Sequence, residues 1–300
     1  MTLTSNQAIS FSFPLKAEPA ASQAQADWAH NSPRRLPVAC VILPTYNEVE
    51  NVTQVIPAIF LQAATISATH EVHVLVVDDD SPDGTRGAVE NLQRKHKNLH
   101  VIGGMKRGLG DAYKRGIKYA LRHLSSDVII EMDADGQHDP KEIPQFIALS
   151  NSGFSLVIGS RFTPGGETPD FSLWRKFLSL FGNWLIRRLG GVRKVHDCTS
   201  GFRCIRADLV KECDLTCLST RGYSFQSSLL CELLRHNAAF IEVPISFKPR
   251  LHGYSKLAFR DQLEFLLNIV KIRFGGRGKR QPDLLGKPGY PKIRSRQMRL

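Results

Sequence analysis

Two aspartates, Asp133 and Asp135, lie one residue apart at the end of the apolar run 128–132. If both stand on one strand, their side chains point to the same face, because side chains alternate along a strand. The two carboxylates could then share one hard divalent cation, Mg²⁺ or Mn²⁺, with the diphosphate of a ligand. Such a cation would neutralise the diphosphate as it leaves. The alternative is a pair of solvated loop carboxylates.

Two other polar groups also follow apolar segments. Residues 78–80 are three consecutive aspartates, whose repulsion is costly unless a donor, a cation or water compensates it. A carboxylate there could accept hydrogen bonds from a nucleobase or a ribose, whereas residues 80–84 could equally form a turn with a helix cap. Residues 44–48 could likewise be only a strand-to-helix turn, with Asn47 as the cap and Tyr46 packed in the core.

Short apolar segments alternate with amphipathic segments over residues 38–158. The predicted strands are 38–43, 72–77, 99–102, 128–132 and 156–158. The predicted helices are 49–62, 87–96, 110–124 and 140–149. This alternation predicts an α/β fold with a mostly parallel sheet and helices on both faces. Ligands of such sheets bind beyond the carboxyl ends of the strands, where all three polar groups fall.

The composition allows one substantial domain with extensions, because 300 residues with 42% hydrophobic content can bury a large core. The first 36 residues are rich in Ala, Ser and Gln, so we expect a disordered arm there rather than a secretory signal. The six cysteines form no CxxC pair, which indicates reduced cytosolic core residues.

The net charge of +12 is unevenly distributed. Residues 275–300 contain eight Lys or Arg and one Asp, which gives 8 minus 1, or +7. Together with its Gly and Pro content, this predicts a disordered basic tail. Such a tail could bind anionic lipid headgroups or nucleic acid, or serve solubility alone. A nucleic-acid-binding protein is disfavoured because no nucleic-acid module is recognisable.

The order of these segments resembles that of the inverting GT-A glycosyltransferases. The shared motifs are Pro-Thr-Tyr-Asn-Glu at 44–48, Val-Asp-Asp-Asp-Ser-Pro-Asp-Gly-Thr at 77–85, Gly-Leu-Gly-Asp-Ala-Tyr at 108–113, Asp-Ala-Asp-Gly-Gln-His at 133–138 and Gly-Ser-Arg-Phe at 159–162. Later motifs are similar to those of the dolichyl-phosphate (polyprenyl-phosphate) mannosyltransferases: Thr-Ser-Gly-Phe-Arg at 199–203, Gly-Tyr-Ser-Phe-Gln at 222–226, Glu-Val-Pro-Ile-Ser-Phe at 242–247 and the basic segment 250–256. The resemblance covers residues 38 to about 274.

This resemblance implies transfer of mannose from GDP-mannose to a polyprenyl phosphate, with UDP-glucose as the alternative donor. The implied donor-binding residues are Pro44, Tyr46, Glu48, Val77, Asp79, Asp133, Ala134, Asp135, Arg250 and Lys256. The implied ligands of Mg²⁺ or Mn²⁺ are Asp133, Asp135 and Gln137, and the implied catalytic residues are Asp135 and Arg161. Arg250 and Lys256 would meet the diphosphate, although either could be an ordinary surface charge.

On the acceptor side, the resemblance implies that Arg161, Arg175 and Ser179 grip the lipid phosphate. Residues 173–189 predict a helix on which Arg175, Ser179 and Asn183 recur every four residues along one face. Apolar positions of this helix could form core or meet a polyprenyl chain at a membrane surface; they are Phe177, Leu178, Phe181, Trp184 and Leu185.

A phosphate acceptor is already largely ionised at neutral pH, so it needs no general base. The expected step is a single in-line displacement with inversion at the anomeric carbon. Gln226 follows Phe225 where hydroxyl-directed relatives usually carry an acid, which supports a phosphate acceptor. Ser228 stands where many relatives have Glu, and Glu232 could substitute for that acid. A non-catalytic GT-A-like scaffold is a further alternative, against which the retained carboxylates and arginines speak.

The expected organisation is a disordered arm over 1–36, a GT-A catalytic domain over 37–256, an amphipathic helix over 257–274 and the basic tail over 275–300. No stretch approaches the roughly 18 to 20 apolar residues that a membrane span needs. The helix at 257–274 could lie on a membrane surface, pack on the catalytic domain or bind a small membrane protein. We therefore expect a cytoplasmic protein held peripherally at the cytoplasmic face of a membrane.

Overall fold

One mixed sheet organises the chain in the computed structural model, which describes residues 35–216, 218 and 222–252. Its strands are β1 (Val38–Thr45), β2 (Glu71–Asp78), β3 (Leu99–Gly103), β4 (Val128–Glu131), β5 (Leu156–Ser160), β6 (Arg203–Arg206) and β7 (Phe240–Pro244). They are ordered β3-β2-β1-β4-β6-β5-β7. Only β6 runs antiparallel to its neighbours β4 and β5. The predicted α/β class and mostly parallel sheet are therefore confirmed.

Seven α-helices connect the strands within these described residues. They are α1 (Val49–Thr65), α2 (Thr85–Gln93), α3 (Leu109–His123), α4 (Ile143–Asn151), α5 (Leu173–Leu189), α6 (Ala207–Glu212) and α7 (Gly222–Arg235). The helix predicted over 140–149 is instead a 3₁₀ turn, Pro140–Glu142, followed by α4. Pro144 lies in the first turn of α4, where its missing N–H removes no hydrogen bond within the helix.

The core has two layers, one on each face of the sheet. Strand β1 contributes Cys40 and Ile42 to one layer and Val41 and Leu43 to the other, as the alternation along a strand requires. Helices α3 and α7 cover the first layer, and α1 and α4 cover the second. Helices on both faces are thus confirmed. Because β1 runs parallel to β2 and β4, the carboxyl ends of these three strands lie at the same edge of the sheet.

Several predictions concern residues outside the described part of the chain. Most of the arm over 1–36, Lys256, the amphipathic helix over 257–274 and the basic tail over 275–300 lie there. Those domain boundaries stay predictions. Among the helices that the structure does describe, none has the length and apolar character that crossing a bilayer requires.

Candidate functional site

The aspartate pair lies in the turn that follows β4. The strand ends at Glu131, so the same-face argument from strand alternation was wrong, although the position at a strand end was right. Asp135 is buried and Asp133 is partly exposed. Burial raises the pKa of Asp133 above its ordinary value, and Arg250 and Arg161 oppose this. Burial and the charge of Asp133 likewise raise the pKa of Asp135, against Arg250.

Arg250 joins this turn to the β1–α1 turn. Its Nη2 lies 2.8 Å from Asp135 Oδ2, and its Nη1 lies 3.7 Å from Glu48 Oε1. The alternative interpretation of Arg250 as an ordinary surface charge is therefore wrong. Glu48 and Asp135 therefore lie together around the guanidinium of Arg250, and all three are residues predicted to bind the sugar donor.

The segment before and after Arg250 packs on the aspartate turn. Leu251 N–H donates to the Asp135 carbonyl at 3.1 Å, and Lys248 N–H donates to the Gln137 carbonyl at 3.0 Å. The Gln137 side chain donates to the Lys248 carbonyl at 3.1 Å. Gly136 has φ +79°, and a Cβ there would clash with a Leu251 methyl carbon. Only glycine fits this close approach in the left-handed region.

The loop over residues 78–84, which carries the three consecutive aspartates, accepts hydrogen bonds from the first residues of two helices. Asp83 accepts hydrogen bonds from Thr85 N–H at 3.0 Å and from Val49 N–H at 3.1 Å, so the predicted turn with a helix cap over 80–84 is confirmed. The cap of α1 is Glu48, with no side-chain capping bond. The predicted Asn47 cap is wrong, because Asn47 has φ 56° and the N–H groups of Glu48 and Val49 donate instead to Thr85 Oγ1 and Asp83 Oδ2.

Asp78 has a structural role at the same corner. Its Oδ1 accepts from Thr45 Oγ1 at 3.0 Å and from Ser81 Oγ at 2.5 Å, and its Oδ2 accepts from Ser81 N–H at 3.0 Å. These bonds tie the ends of β1 and β2 together. They also compensate one of the three adjacent charges.

The negative charge of Asp79 is compensated by Arg115, which the sequence alone did not single out. Its carboxylate contacts Arg115 on α3, and Arg115 Nε donates to Asp111 at 3.0 Å. Burial raises the pKa of Asp79, and Arg115 opposes this shift. A Cβ on Gly104 would lie 2.6 Å from Arg115 Nη1, so a larger residue there would displace the end of this arginine.

Two other predicted donor residues differ in what they can offer. Val77 is fully buried in the core layer with Ile42, so only its backbone could face a nucleoside. Tyr46 is half-buried, and Lys106 Nζ lies 3.3 Å from the centre of its ring. The interpretation of Tyr46 as a core residue is therefore wrong. Pro44 lies beside Val77 in the β1–β2 register, and Ala134 is buried between the two aspartates.

Arg161 follows β5 and is held by a buried carboxylate. Its Nε lies 2.7 Å from Asp197 Oδ2 and its Nη2 lies 2.8 Å from Asp197 Oδ1. Nη2 also donates to Thr199 Oγ1 at 2.7 Å. Burial alone would raise the pKa of Asp197, but Arg161 and the hydrogen bonds hold it below its ordinary value.

The loop that carries Asp197 is fixed from three sides. Glu242 on β7 accepts from His196 N–H at 2.8 Å and from Asp197 N–H at 2.9 Å. Asn183 on α5 accepts from Cys198 N–H at 2.6 Å. Arg203 on β6 donates to the Cys198 carbonyl at 3.0 Å. We call residues 196–199 the arginine cradle, because every one of these contacts supports the segment that orients Arg161.

The other predicted acceptor residues lie on α5, whose predicted bounds are confirmed. The Arg175 guanidinium packs 4.0 Å from the centre of the Phe171 ring. Ser179 is half-buried, and its carbonyl accepts from the Asn183 side chain at 2.9 Å. The core interpretation is wrong for most apolar positions of this helix, because Phe177, Phe181 and Trp184 are exposed.

A buried polar layer lies beneath the aspartate turn. Arg203 is fully buried opposite Glu131 in the β4–β6 register, and its Nη1 donates to Gln226 Oε1 at 3.0 Å. Gln226 therefore supports β6 from α7. Glu232 lies 3.2 Å from Arg235 and 3.3 Å from His236, and its substitution for the missing acid stays a prediction.

The donor set at the aspartate turn fits a hard divalent cation. Asp133 and Asp135 supply carboxylate oxygens and Gln137 carries an amide oxygen, which are the ligand types that Mg²⁺ and Mn²⁺ prefer. Over the described ranges 35–216, 218 and 222–252, no cluster of three or more His, Cys, Asp or Glu could hold a metal ion. Mg²⁺ sites in proteins commonly combine one or two carboxylates with phosphate oxygens and water.

Comparison with known sequences gives one family. Residues 40–214 match the family described as Glycosyl transferase family 2. The chain is 36% identical over 239 residues to a protein of Mycolicibacterium smegmatis named polyprenol monophosphomannose synthase, covering 79% of this chain and 87% of that protein. It is 35% identical over 231 residues to a Micrococcus luteus protein named undecaprenyl-phosphate mannosyltransferase, covering 77% of this chain and 91% of that protein.

Solved structures share the fold at lower sequence identity. A glucosyl-3-phosphoglycerate synthase from Mycobacterium tuberculosis, in complex with Mg²⁺ and UDP, matches with a TM-score of 0.57 and 17% identity, covering 79% of this chain and 80% of that one. A mannosyltransferase from Pyrobaculum calidifontis, in complex with GDP-Man and Mn²⁺, matches with a TM-score of 0.56 and 18% identity, covering 86% of this chain and 72% of that one.

Proposed function

We propose, from the premise that this chain belongs to glycosyl transferase family 2, that it transfers mannose from GDP-mannose to a polyprenyl phosphate with inversion. The observation that carries this proposal is the similarity to two proteins named for polyprenyl-phosphate mannose transfer, which extends over more than three quarters of the chain. The products would be a lipid-phosphate-linked mannose and GDP.

The donor would bind where the turns after β1, β2 and β4 meet. Pro44, Tyr46, the Val77 backbone and Asp79 would hold the nucleoside. Glu48 and Asp135 already orient Arg250, which would contact the diphosphate. A guanidinium offers paired donors to phosphate oxygens, and it stabilises the negative charge that grows as the glycosyl bond breaks. Lys256 would add a second cation.

Asp133, Asp135 and Gln137 would hold Mg²⁺ or Mn²⁺. When bound, the cation would supply positive charge to the leaving diphosphate. Burial raises the pKa of both aspartates, and the charge of Asp133 adds to the shift at Asp135, so a bound cation would stabilise both carboxylates in their ionised form.

The acceptor phosphate would lie at Arg161, with Arg175 and Ser179 completing its site. Asp197 orients the Arg161 guanidinium, so the attacking oxygen would be positioned rather than deprotonated. A phosphate monoester is mostly ionised at neutral pH, and the proposed mechanism accordingly assigns no general base. Gln226 fits this scheme because its side chain accepts a hydrogen bond from Arg203 beneath the site.

The reaction would take place at a membrane surface, because a polyprenyl chain partitions into lipid. We propose the cytoplasmic face as that surface. The predicted helix over 257–274 and the basic tail could add membrane contacts, and a small membrane protein could bind there. A nucleic acid is not a proposed partner.

A partition assay tests this function. The purified full chain is incubated with radiolabelled GDP-mannose or UDP-glucose, polyprenyl phosphate and each divalent ion, and the mixture is extracted with organic solvent. We expect label in the lipid fraction from GDP-mannose with Mg²⁺ or Mn²⁺. Asp135→Asn should abolish it, whereas Asp208→Asn, at an exposed aspartate on α6, should not. Label only from UDP-glucose would overturn the donor, and no lipid-linked label would overturn the function.

A further inference from the structure

Helix α5 carries a row of stacked aromatic rings in solvent. The exposed fractions are 68% for Trp174, 57% for Phe177, 47% for Phe181 and 47% for Trp184. Successive ring centres lie 5.7, 6.3 and 5.8 Å apart. We call these four residues the aromatic ladder. So large an apolar surface is unusual on a soluble domain and indicates a contact surface.

The aromatic ladder faces away from the domain. Asn183 and Ile186 are the buried residues of α5, and they mark the side that packs on the sheet layers. At 3.6 residues per turn, the four ladder positions fall on the opposite side of the helix. The ladder therefore forms an outer face about 15 Å long that meets no part of the described core.

The charge around the aromatic ladder has one sign. Residues 171–196 contain six Lys or Arg and no Asp or Glu. Lys176 and Arg188 are exposed on α5 itself. Trp and Phe beside Lys and Arg are the composition of a helix that lies in the headgroup region of a bilayer. Such aromatics sit at the boundary of the acyl chains while the cations stay at the phosphates.

We propose that the aromatic ladder of α5 docks on the surface of a bilayer that contains anionic lipid, an inference that rests on the proposed function for its biological setting. The positive charge around the ladder favours an anionic bilayer over two other possible partners, the segment 257–274 and a second copy of this chain. The segment 257–274 has three basic and two acidic residues, so it offers little complementary charge. A second copy of α5 would oppose like charges.

Docking on α5 would also hold the acceptor site close to the membrane. Asn183 connects the buried side of α5 to Cys198 in the arginine cradle. Asp197, the preceding residue, orients Arg161. The side of α5 that faces the bilayer is opposite the side that faces the arginine cradle, so docking would hold Arg161 about one helix diameter from the membrane surface.

Tryptophan fluorescence of the full chain tests the contact. The chain has three tryptophans, so Trp28→Phe leaves only Trp174 and Trp184, both in the ladder. This variant is mixed with vesicles of equal parts phosphatidylcholine and phosphatidylglycerol, with and without bromine-labelled acyl chains. We expect a blue shift and quenching by the brominated lipid. Binding to the vesicles with unchanged tryptophan emission would overturn the proposal, because another segment would then make the contact.

Paired variants identify the surface. Phe177→Ser combined with Phe181→Ser should weaken vesicle binding about tenfold or more, since two apolar anchors are lost. Leu61→Ser removes an even more exposed apolar side chain, 68% exposed, from α1 and should leave binding unchanged. Lys176→Gln combined with Arg188→Gln should weaken binding to anionic vesicles only. Equal binding by all variants, or ladder burial in a concentration-dependent dimer without lipid, would contradict the proposal.

The transferase is measured separately on the same preparations with a short-chain polyprenyl phosphate in detergent. If the unsubstituted chain docks through the ladder but transfers no mannose, the proposed function fails and the docking inference stands. If it transfers mannose but the ladder does not contact lipid, the docking inference alone fails.

Discussion

The Arg161 guanidinium and the Asp197 carboxylate form two parallel hydrogen bonds of 2.7 and 2.8 Å across 36 residues of sequence. Asp197 is fully buried, and its own N–H is held by Glu242. A bidentate pair of this kind fixes the plane of the guanidinium as well as its position. Arg161 is therefore oriented before any ligand arrives.

Asp197→Asn should impair use of the acceptor more than use of the donor. The amide removes the paired anion but keeps one oxygen acceptor, so Arg161 stays nearby with a less fixed orientation. We expect KM for polyprenyl phosphate to rise about tenfold, with the affinity for GDP-mannose unchanged. Steady-state kinetics with each substrate varied in turn measure this. An equal loss for both substrates would indicate a merely structural role, and Asp208→Asn serves as the control.

The same variant should change acid stability. The folded-state pKa of Asp197 lies below its unfolded value of 3.8, so its ionised form stabilises the fold at pH above 3.8, and this contribution is lost as pH falls further. At pH 7 we expect Asp197→Asn to lower the free energy of unfolding by about 2 kcal/mol. Urea unfolding should show this difference narrowing below pH 4. A difference that stays constant with pH would contradict the ion pair.

Arg250→Gln should weaken donor binding. The substitution removes the cation that bridges Asp135 and Glu48 and leaves those carboxylates without its charge. Loss of the proposed guanidinium contact to the diphosphate should cost about 2 kcal/mol or more, so we expect the Kd for GDP-mannose to rise at least about thirtyfold. Isothermal calorimetry measures this, with Arg206→Gln at an exposed pair as control. Unchanged affinity would show that Arg250 serves only the fold.

Gly136→Ala and Gly153→Ala separate a clash from backbone strain. Both glycines have positive φ, but a Cβ at 136 would clash with the Leu251 side chain, whereas a Cβ at 153 would meet nothing within 4 Å. Each alanine should cost about 1 kcal/mol of stability through its backbone conformation. Only Gly136→Ala should also displace the segment of Arg250 and reduce donor affinity. Equal donor affinity in the two variants would contradict the proposed coupling.

The central strands and the edge of the site could be predicted from local patterns. Strands β1 to β5 are apolar runs, and the polar residues after β1, β2 and β4 mark their carboxyl ends. Strands β6 and β7 were not predicted. The four residues of β6 begin and end with Arg, and the buried Arg203 hides its apolar pattern. Which basic side chain pairs with each carboxylate depends on segments that are distant in the sequence. Hydrophobic periodicity carries no information about such pairs.

The arginine cradle illustrates this limit. Asp197 and Glu242 are 45 residues apart, and neither stands in a local pattern that names its partner. The family motif at 242–247 drew attention to Glu242, but only the structure shows that its carboxylate holds His196 and Asp197. Likewise, the helix over 173–189 was predicted with its bounds, while the side that faces solvent followed only from packing.

The most direct test of the account is a crystal structure of the full chain with Mn²⁺ and GDP-mannose, using anomalous scattering to locate the manganese. We predict a manganese peak beside the Asp133 and Asp135 carboxylates, with the donor diphosphate on the metal and Arg250 in contact with a phosphate oxygen. A bound nucleotide whose diphosphate lies away from both aspartates, with no manganese between them, would contradict it.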